Sequence, residues 1–137
     1  MSLPLAQFLK NNGYYHLISR GAQEQRLFEG EDDCRFFLTL LAKFKRRFLV
    51  KILGYSLMPD HVHLIVHCEA SHHLFCFLND VHQKYTIYFN LKYQREGKLW
   101  RDRFKSIHLE TKSDVRNVLD AIRVSNLSHG KSLALFG

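Results

Sequence analysis

The spacing of apolar residues changes several times along the chain, and each change marks an element. Tyr14-Tyr15-His16-Leu17-Ile18-Ser19 is rich in β-formers and predicts a strand, opened by Gly13 and closed by the turn signal Ser19-Arg20-Gly21. After a polar stretch at 22–30, Phe36, Phe37, Leu40, Leu41, Phe44 and Phe48 recur at helical spacing. Asp32 and Asp33 stand where a helix start favours a cap and negative charge. Lys43, Lys45, Arg46 and Arg47 end that helix, either complementing its dipole or facing phosphate. Residues 49–57 predict a second strand, interrupted at Gly54. Pro59 cannot donate a backbone hydrogen bond, so Met58-Pro59-Asp60 reads as the turn of a β-hairpin. From there the chain alternates: Val62, Leu64 and Val66 point one way, and His61, His63, Ile65 and His67 the other.

A second helix opens near Ser71 as N-cap and carries the stripe Leu74, Phe77, Leu78, Val81, Tyr85, Tyr88 and Phe89. Phe104, Ile107 and Leu109 mark a fourth strand at 103–109. Thr111 or Ser113 can cap a third helix over 114–127, with Val115, Val118, Leu119 and Ile122 inward and His129-Gly130 as its stop signal. Residues 1–12 read as an N-terminal leader, 13–130 as one domain and 131–137 as a C-terminal tail. The order predicts an α+β fold: a ferredoxin-like β-α-β-β-α-β antiparallel sheet with an additional C-terminal helix. Two helices cover one face, so the third must cross the other face or an edge, where His61 and His63 point. The same topology serves acylphosphatase-like enzymes, RRM-like RNA binders and metal-binding regulators.

Composition narrows the classes. At 137 residues the chain is long enough for one cored domain, and 46% hydrophobic content excludes a disordered chain. A formal charge of +7 and a pI near 9.5 favour an anionic partner, nucleic acid first and an acidic membrane surface second. No apolar run approaches the ~18–20 residues of a membrane span, so a membrane role is not expected. Cys34, Cys68 and Cys76 include no C-x-x-C pair, which speaks against a disulfide framework or zinc knuckle and fits a reducing, cytoplasmic setting.

Two stretches carry candidate chemistry. His61 and His63 lie on one strand face with α-carbons ~6–7 Å apart, close enough for both rings to lean onto one divalent metal. The plainer reading is two histidines exposed by chance in a histidine-rich protein. Segment 93–105 interleaves bases with aromatics and suits phosphate contact with base stacking. The plainer reading is a loop whose Trp100 plugs the core; both can hold.

Three blocks in order then resemble a known family. They are Tyr15-His16-Leu17-Ile18-Ser19-Arg20-Gly21, Tyr55-Ser56-Leu57-Met58-Pro59-Asp60-His61-Val62-His63-Leu64, and Gly97-Lys98-Leu99-Trp100-Arg101-Asp102-Arg103-Phe104-Lys105. Together they resemble the single-tyrosine HUH transposases of the insertion-sequence-200-like class, above all the REP-associated tyrosine transposases. The resemblance implies an enzyme that cuts and rejoins single-stranded DNA beside a hairpin through a phosphotyrosine link. It also implies a divalent cation, Mg²⁺ or Mn²⁺, on His61 and His63, with Asn126, or behind it Ser125, as a further ligand. Arg20, Lys98, Arg101, Arg103 and Lys105 become the candidate phosphate contacts. The setting implied is bacterial-type, cytoplasmic and nucleoid-associated, and a homodimer is compatible with it.

The chain departs from that family at the nucleophile. The position expected to hold the tyrosine is Ala121, or Ile122 in a shifted alignment, and none of the six tyrosines lies on the last helix. An alanine has no oxygen to attack phosphorus. A domesticated hairpin-DNA binder, a substitute nucleophile (Tyr85, Tyr88 or a metal-bound water) and an engineered replacement each account for this. The competing class is a non-catalytic RRM-like nucleic-acid-binding module, which needs stacking aromatics on exposed central strands.

Overall fold

The computed structural model describes residues 12–128, with side chains through Arg123. The expected leader, apart from Asn12, lies outside the described residues, as do His129, Gly130 and the tail. Strand β1 (Gly13–Arg20) leads through a 3₁₀ turn (Ala22–Glu24) to helix α1 (Glu31–Arg47). Strands β2 (Val50–Leu57) and β3 (His61–Cys68) form the hairpin, followed by helix α2 (Ser71–Tyr93), strand β4 (Lys105–Leu109) and helix α3 (Lys112–Ser128). The sheet runs β2-β3-β1-β4 with every pairing antiparallel, which is the expected ferredoxin-like arrangement.

Period-2 alternation sorts the sheet into two faces. Tyr15, Leu17, Leu64 and Val66 point into a core closed by Phe37, Leu41 and Phe44 of α1 and Phe77, Leu78 and Tyr85 of α2. Fully burying each Leu or Phe contributes about 1.5–3 kcal/mol. The opposite face is covered in part by α3, whose Val115, Val118, Leu119 and Ile122 pack on Ile65 and Leu109. Gly54 permits this crossing: a Cβ there would lie 2.6 Å from Leu119 Cδ2. It stands at a register shift in β2, the interruption expected from sequence.

Several local expectations are corrected. Helix α1 is capped by Gly30 rather than by Asp32 or Asp33. Asp33 is instead buried and accepts the Glu29 backbone N–H at 2.9 Å from inside the first turn. Ser71 is the first helical residue of α2, and its N-cap is Ala70. Leu49 adopts a left-handed φ of 55° in the α1–β2 turn, so β2 begins at Val50. Strand β4 begins at Lys105, not 103. At α3 the cap is Thr111: its Oγ1 accepts the Asp114 N–H at 3.0 Å, while Asp114 accepts the Thr111 N–H at 3.1 Å.

Candidate metal and nucleic-acid site

The antiparallel register assembles the site. Ile18 faces His63 and Arg20 faces His61 across β1–β3, so the even-numbered β1 residues share the imidazole face. His16 therefore reaches His63, with Nε2 2.9 Å from His63 Nδ1. His61 Nδ1 lies 2.8 Å from Asp60 Oδ1, and the His61 and His63 rings stand edge to face with centroids 4.9 Å apart. Each ring thus has its Nδ1 engaged by a neighbour, and the engaged nitrogen decides the role of the other. With Asp60 accepting from His61 Nδ1–H and His16 Nε2 accepting from His63 Nδ1–H, both Nε2 atoms carry lone pairs. That tautomer suits a metal ligand, and partners of this kind orient ligating histidines.

Electrostatics keep His63 and its partner His16 neutral. Burial lowers the pKa of His63 to about 4, helped by His16, His61 and Arg20. Burial and then Lys105 lower that of His16. The hydrogen bond from His61 holds the Asp60 carboxyl below its ordinary range, against partial burial, so it stays an acceptor. Across β2–β3, Ser56 faces His63; it is 0% exposed and its Oγ has no hydrogen-bond partner among the described residues. Two imidazole lone pairs and a nearby orphaned hydroxyl are a donor set that fits a divalent cation of borderline character, Mn²⁺ better than Mg²⁺. Among the described residues no group of three or more His, Cys, Asp or Glu side chains is placed to hold a metal. Asn126 and Ser125 belong to the end of α3, where side chains lie outside the described residues.

The predicted cations divide into two groups. Arg20 and Lys105 are exposed and share the imidazole face, Lys105 opposite Ile18. Lys98 and Arg101 line a separate cleft, where Lys98 pairs with Asp102, and Arg103 is exposed just before β4. Trp100 is buried, stacked on His82 with ring centroids 4.1 Å apart, and anchors this segment on α2.

The tyrosines are placed away from the imidazole pair. Tyr85 is fully buried on the helix-covered side, with its hydroxyl donating to the Leu27 carbonyl. Tyr88 donates to Asp33 at 2.7 Å, on the same side. With the sheet between them and His61 and His63, neither is a substitute nucleophile for a phosphate held there, which corrects that expectation. Tyr14 alone among the tyrosines stands on the imidazole face, against His67. Its register lies four residues from that of His63, roughly 13 Å along the strand. Ala121 is exposed on α3, next to the buried Ile122. His16 and Ser56 were not singled out by sequence, although both lie within the resembling blocks.

An antiparallel split-βαβ sheet with helices on both faces is an architecture shared with solved transposases. A REP-associated tyrosine transposase, solved bound to a REP hairpin, superposes with a TM-score of 0.74 at 17% identity over 95% of this chain and 75% of its own. A candidate transposase from Deinococcus radiodurans R1 gives a TM-score of 0.57 at 15% identity, over 88% and 92% of the two chains. At such identities the likeness is one of fold. The family follows from the sequence: the model described as "Transposase IS200 like" matches residues 9–122, and the chain belongs to that family. No curated protein matches it. Among the described residues no helix is long and apolar enough to cross a membrane.

Proposed function

We propose that this domain binds single-stranded DNA carrying a hairpin across its imidazole face, with His61 and His63 holding a divalent cation, and does so without forming a covalent protein–DNA bond. The observation that carries the reading is the paired restraint of the two rings, His61 on Asp60 and His63 on His16, which leaves both Nε2 atoms as donors on one face. A bound Mn²⁺ or Mg²⁺ would neutralise charge on a phosphate and polarise its oxygen. Arg20 and Lys105 flank the rings and hold the adjoining phosphates, while Lys98, Arg101 and Arg103 extend the contact along the backbone. Asn126, or behind it Ser125, is the further ligand that the family resemblance implies. Membership of the family supports DNA as the partner. The Ala121 methyl cannot attack phosphorus, and Tyr85 and Tyr88 are on the wrong side of the sheet, so binding persists without the phosphotyrosine step.

The test incubates the protein with hairpin-flanked single-stranded DNA and Mn²⁺ across a salt series. Five neutralised phosphates on a single strand give log K against log salt a slope of about −3.5. No adduct survives denaturation with the natural chain, whereas Ala121→Tyr forms one. A flat salt response contradicts the DNA reading; a denaturation-resistant adduct with the natural chain contradicts its non-covalent part.

A further inference from the structure

The cations that close α1 have no part in the DNA reading. Two of them, Lys45 and Arg46, line a cleft of about 440 Å³ where α1 turns into β2, together with Lys51, Glu69, Leu49 and Leu53. The cleft lies along β2, an outer strand of the sheet. Val50 in its wall faces Cys68, seven residues along β3 from His61, which puts it about 23 Å from the imidazole pair.

Both leucines are held there by irregular backbone. Leu49 follows the end of α1 with φ 55°, the left-handed position that glycine usually fills because it has no Cβ to clash. The side chain is 63% exposed, so core packing does not account for a leucine at a strained position. Leu53 is the extra residue of a bulge: Ile52 faces Val66 and Gly54 faces Ile65, which leaves Leu53 without a partner in the β3 register. A bulge re-aims a side chain and breaks the ladder of an edge strand. Here it leaves Leu53 42% exposed in the cleft. Scattered exposed leucines need no explanation, but two in one cleft, each on an irregular backbone and ringed by cations, form a surface.

We propose that this cleft docks an acidic, extended segment of a partner protein, with its apolar side chains on Leu49 and Leu53 and its carboxylates on Arg46 and Lys51. Three cations against the single carboxylate of Glu69 make the cleft electropositive, which selects an acidic occupant. The leucines decide which kind. A nucleic-acid backbone would meet the cations but set both leucines against phosphate. A flat bilayer does not enter a concave cleft. A second copy would bring the same cations to the contact, and the bulge at Leu53 interrupts the ladder that two β2 edges would form. An extended peptide that alternates apolar and acidic residues matches both halves of the surface. The proposal does not depend on the DNA reading, since the cleft and the imidazoles are far enough apart to be occupied together.

The experiment selects short random peptides by display on the natural chain, with the double variant Lys51→Glu, Leu53→Ser as counter-selection and circular dichroism as the check on folding. The peptides enriched should alternate Leu, Ile, Val or Phe with Asp or Glu. In fluorescence anisotropy the double variant should bind them at least about 10-fold more weakly. Amide NMR shifts on binding should fall at residues 45–53 and spare His61 and His63. Leu49→Gly separates docking from structure: it should weaken the peptide while raising Tm by about 2–5 °C, because glycine relieves the left-handed strain. No enrichment, enrichment without acidic residues, affinity that survives in the double variant, or a Tm that does not rise in Leu49→Gly overturns the proposal. So does displacement of the peptide by hairpin DNA, by phosphatidylglycerol vesicles or by self-association of the natural chain, each of which assigns the cleft to another occupant.

Discussion

Two polar clusters sit on opposite sides of the same sheet, and they differ in what they leave over. On the helix-covered side the 0%-exposed Asp33 carboxylate accepts from the Tyr93 hydroxyl at 2.6 Å, Tyr88 at 2.7 Å, Lys92 at 2.8 Å and the Glu29 N–H at 2.9 Å. Every strong acceptor direction is used inside the protein, so the cluster joins the start of α1 to the end of α2 and has nothing to offer a ligand. On the other side, among the described residues, His61 and His63 have only one ring nitrogen each held by a partner. Their other nitrogens are available to something outside. A buried polar network that closes on itself serves stability; one that stops a bond short is a place to look for function.

The comparison breaks most visibly at Asp33. Burial alone would push its carboxyl up, but the hydrogen bonds from Lys92, Tyr93, Tyr88 and the Glu29 N–H outweigh it and hold the pKa below 3.8. A carboxyl with a depressed folded-state pKa contributes stability that is complete above its ordinary range and lost as pH falls through the folded value. Asp33→Ala should lower unfolding free energy by about 2–3 kcal/mol at pH 7, measured by urea denaturation, because the half-buried Tyr88 and Tyr93 hydroxyls lose a charged acceptor. The gap between variant and natural chain should narrow as pH falls below the ordinary carboxylate range and close once the folded carboxyl is itself protonated. Mn²⁺ affinity should be unchanged. A loss of metal affinity without loss of stability would erase the distinction between the clusters.

His16 sharpens the comparison from the other side. His16→Phe removes the acceptor for His63 Nδ1 and should weaken Mn²⁺ binding by about 10- to 100-fold, the usual effect of losing a partner behind a metal ligand. His16→Gln, whose carbonyl oxygen can accept the same proton, should recover much of it. Nitrogen-15 NMR of the metal-free protein should show His63 protonated on Nδ1 in the natural chain and in the Gln variant, with mixed tautomers in the Phe variant. Equal affinity in all three would make His16 a bystander.

Much of this was legible in the sequence where the rule is local. Alternation through Val62, Leu64 and Val66 put His61 and His63 on one face, and counting helices against sheet faces sent α3 across it. What sequence did not reveal depends on register or on distant partners. His16 is 47 residues from His63, and only the pairing of Ile18 with His63 brings it within 2.9 Å. Asp33 reads as a helix-start charge until the end of α2, some 59 residues on, is folded against it. The five cations read as one patch because the path of the segment after α2 is set by bonds from Leu99 and Arg101 back to Ala22 and Arg20. Those bonds carry Lys98 and Arg101 into the cleft and leave Lys105 beside the imidazoles.

The most direct test of the account is calorimetric titration of Mn²⁺ into the natural chain and into the double variant His61→Ala, His63→Ala, with circular dichroism as the check on folding. The account predicts one Mn²⁺ per chain for the natural protein and none for the variant, with superimposable spectra. Equal binding by both proteins, or none by the natural chain, would contradict it.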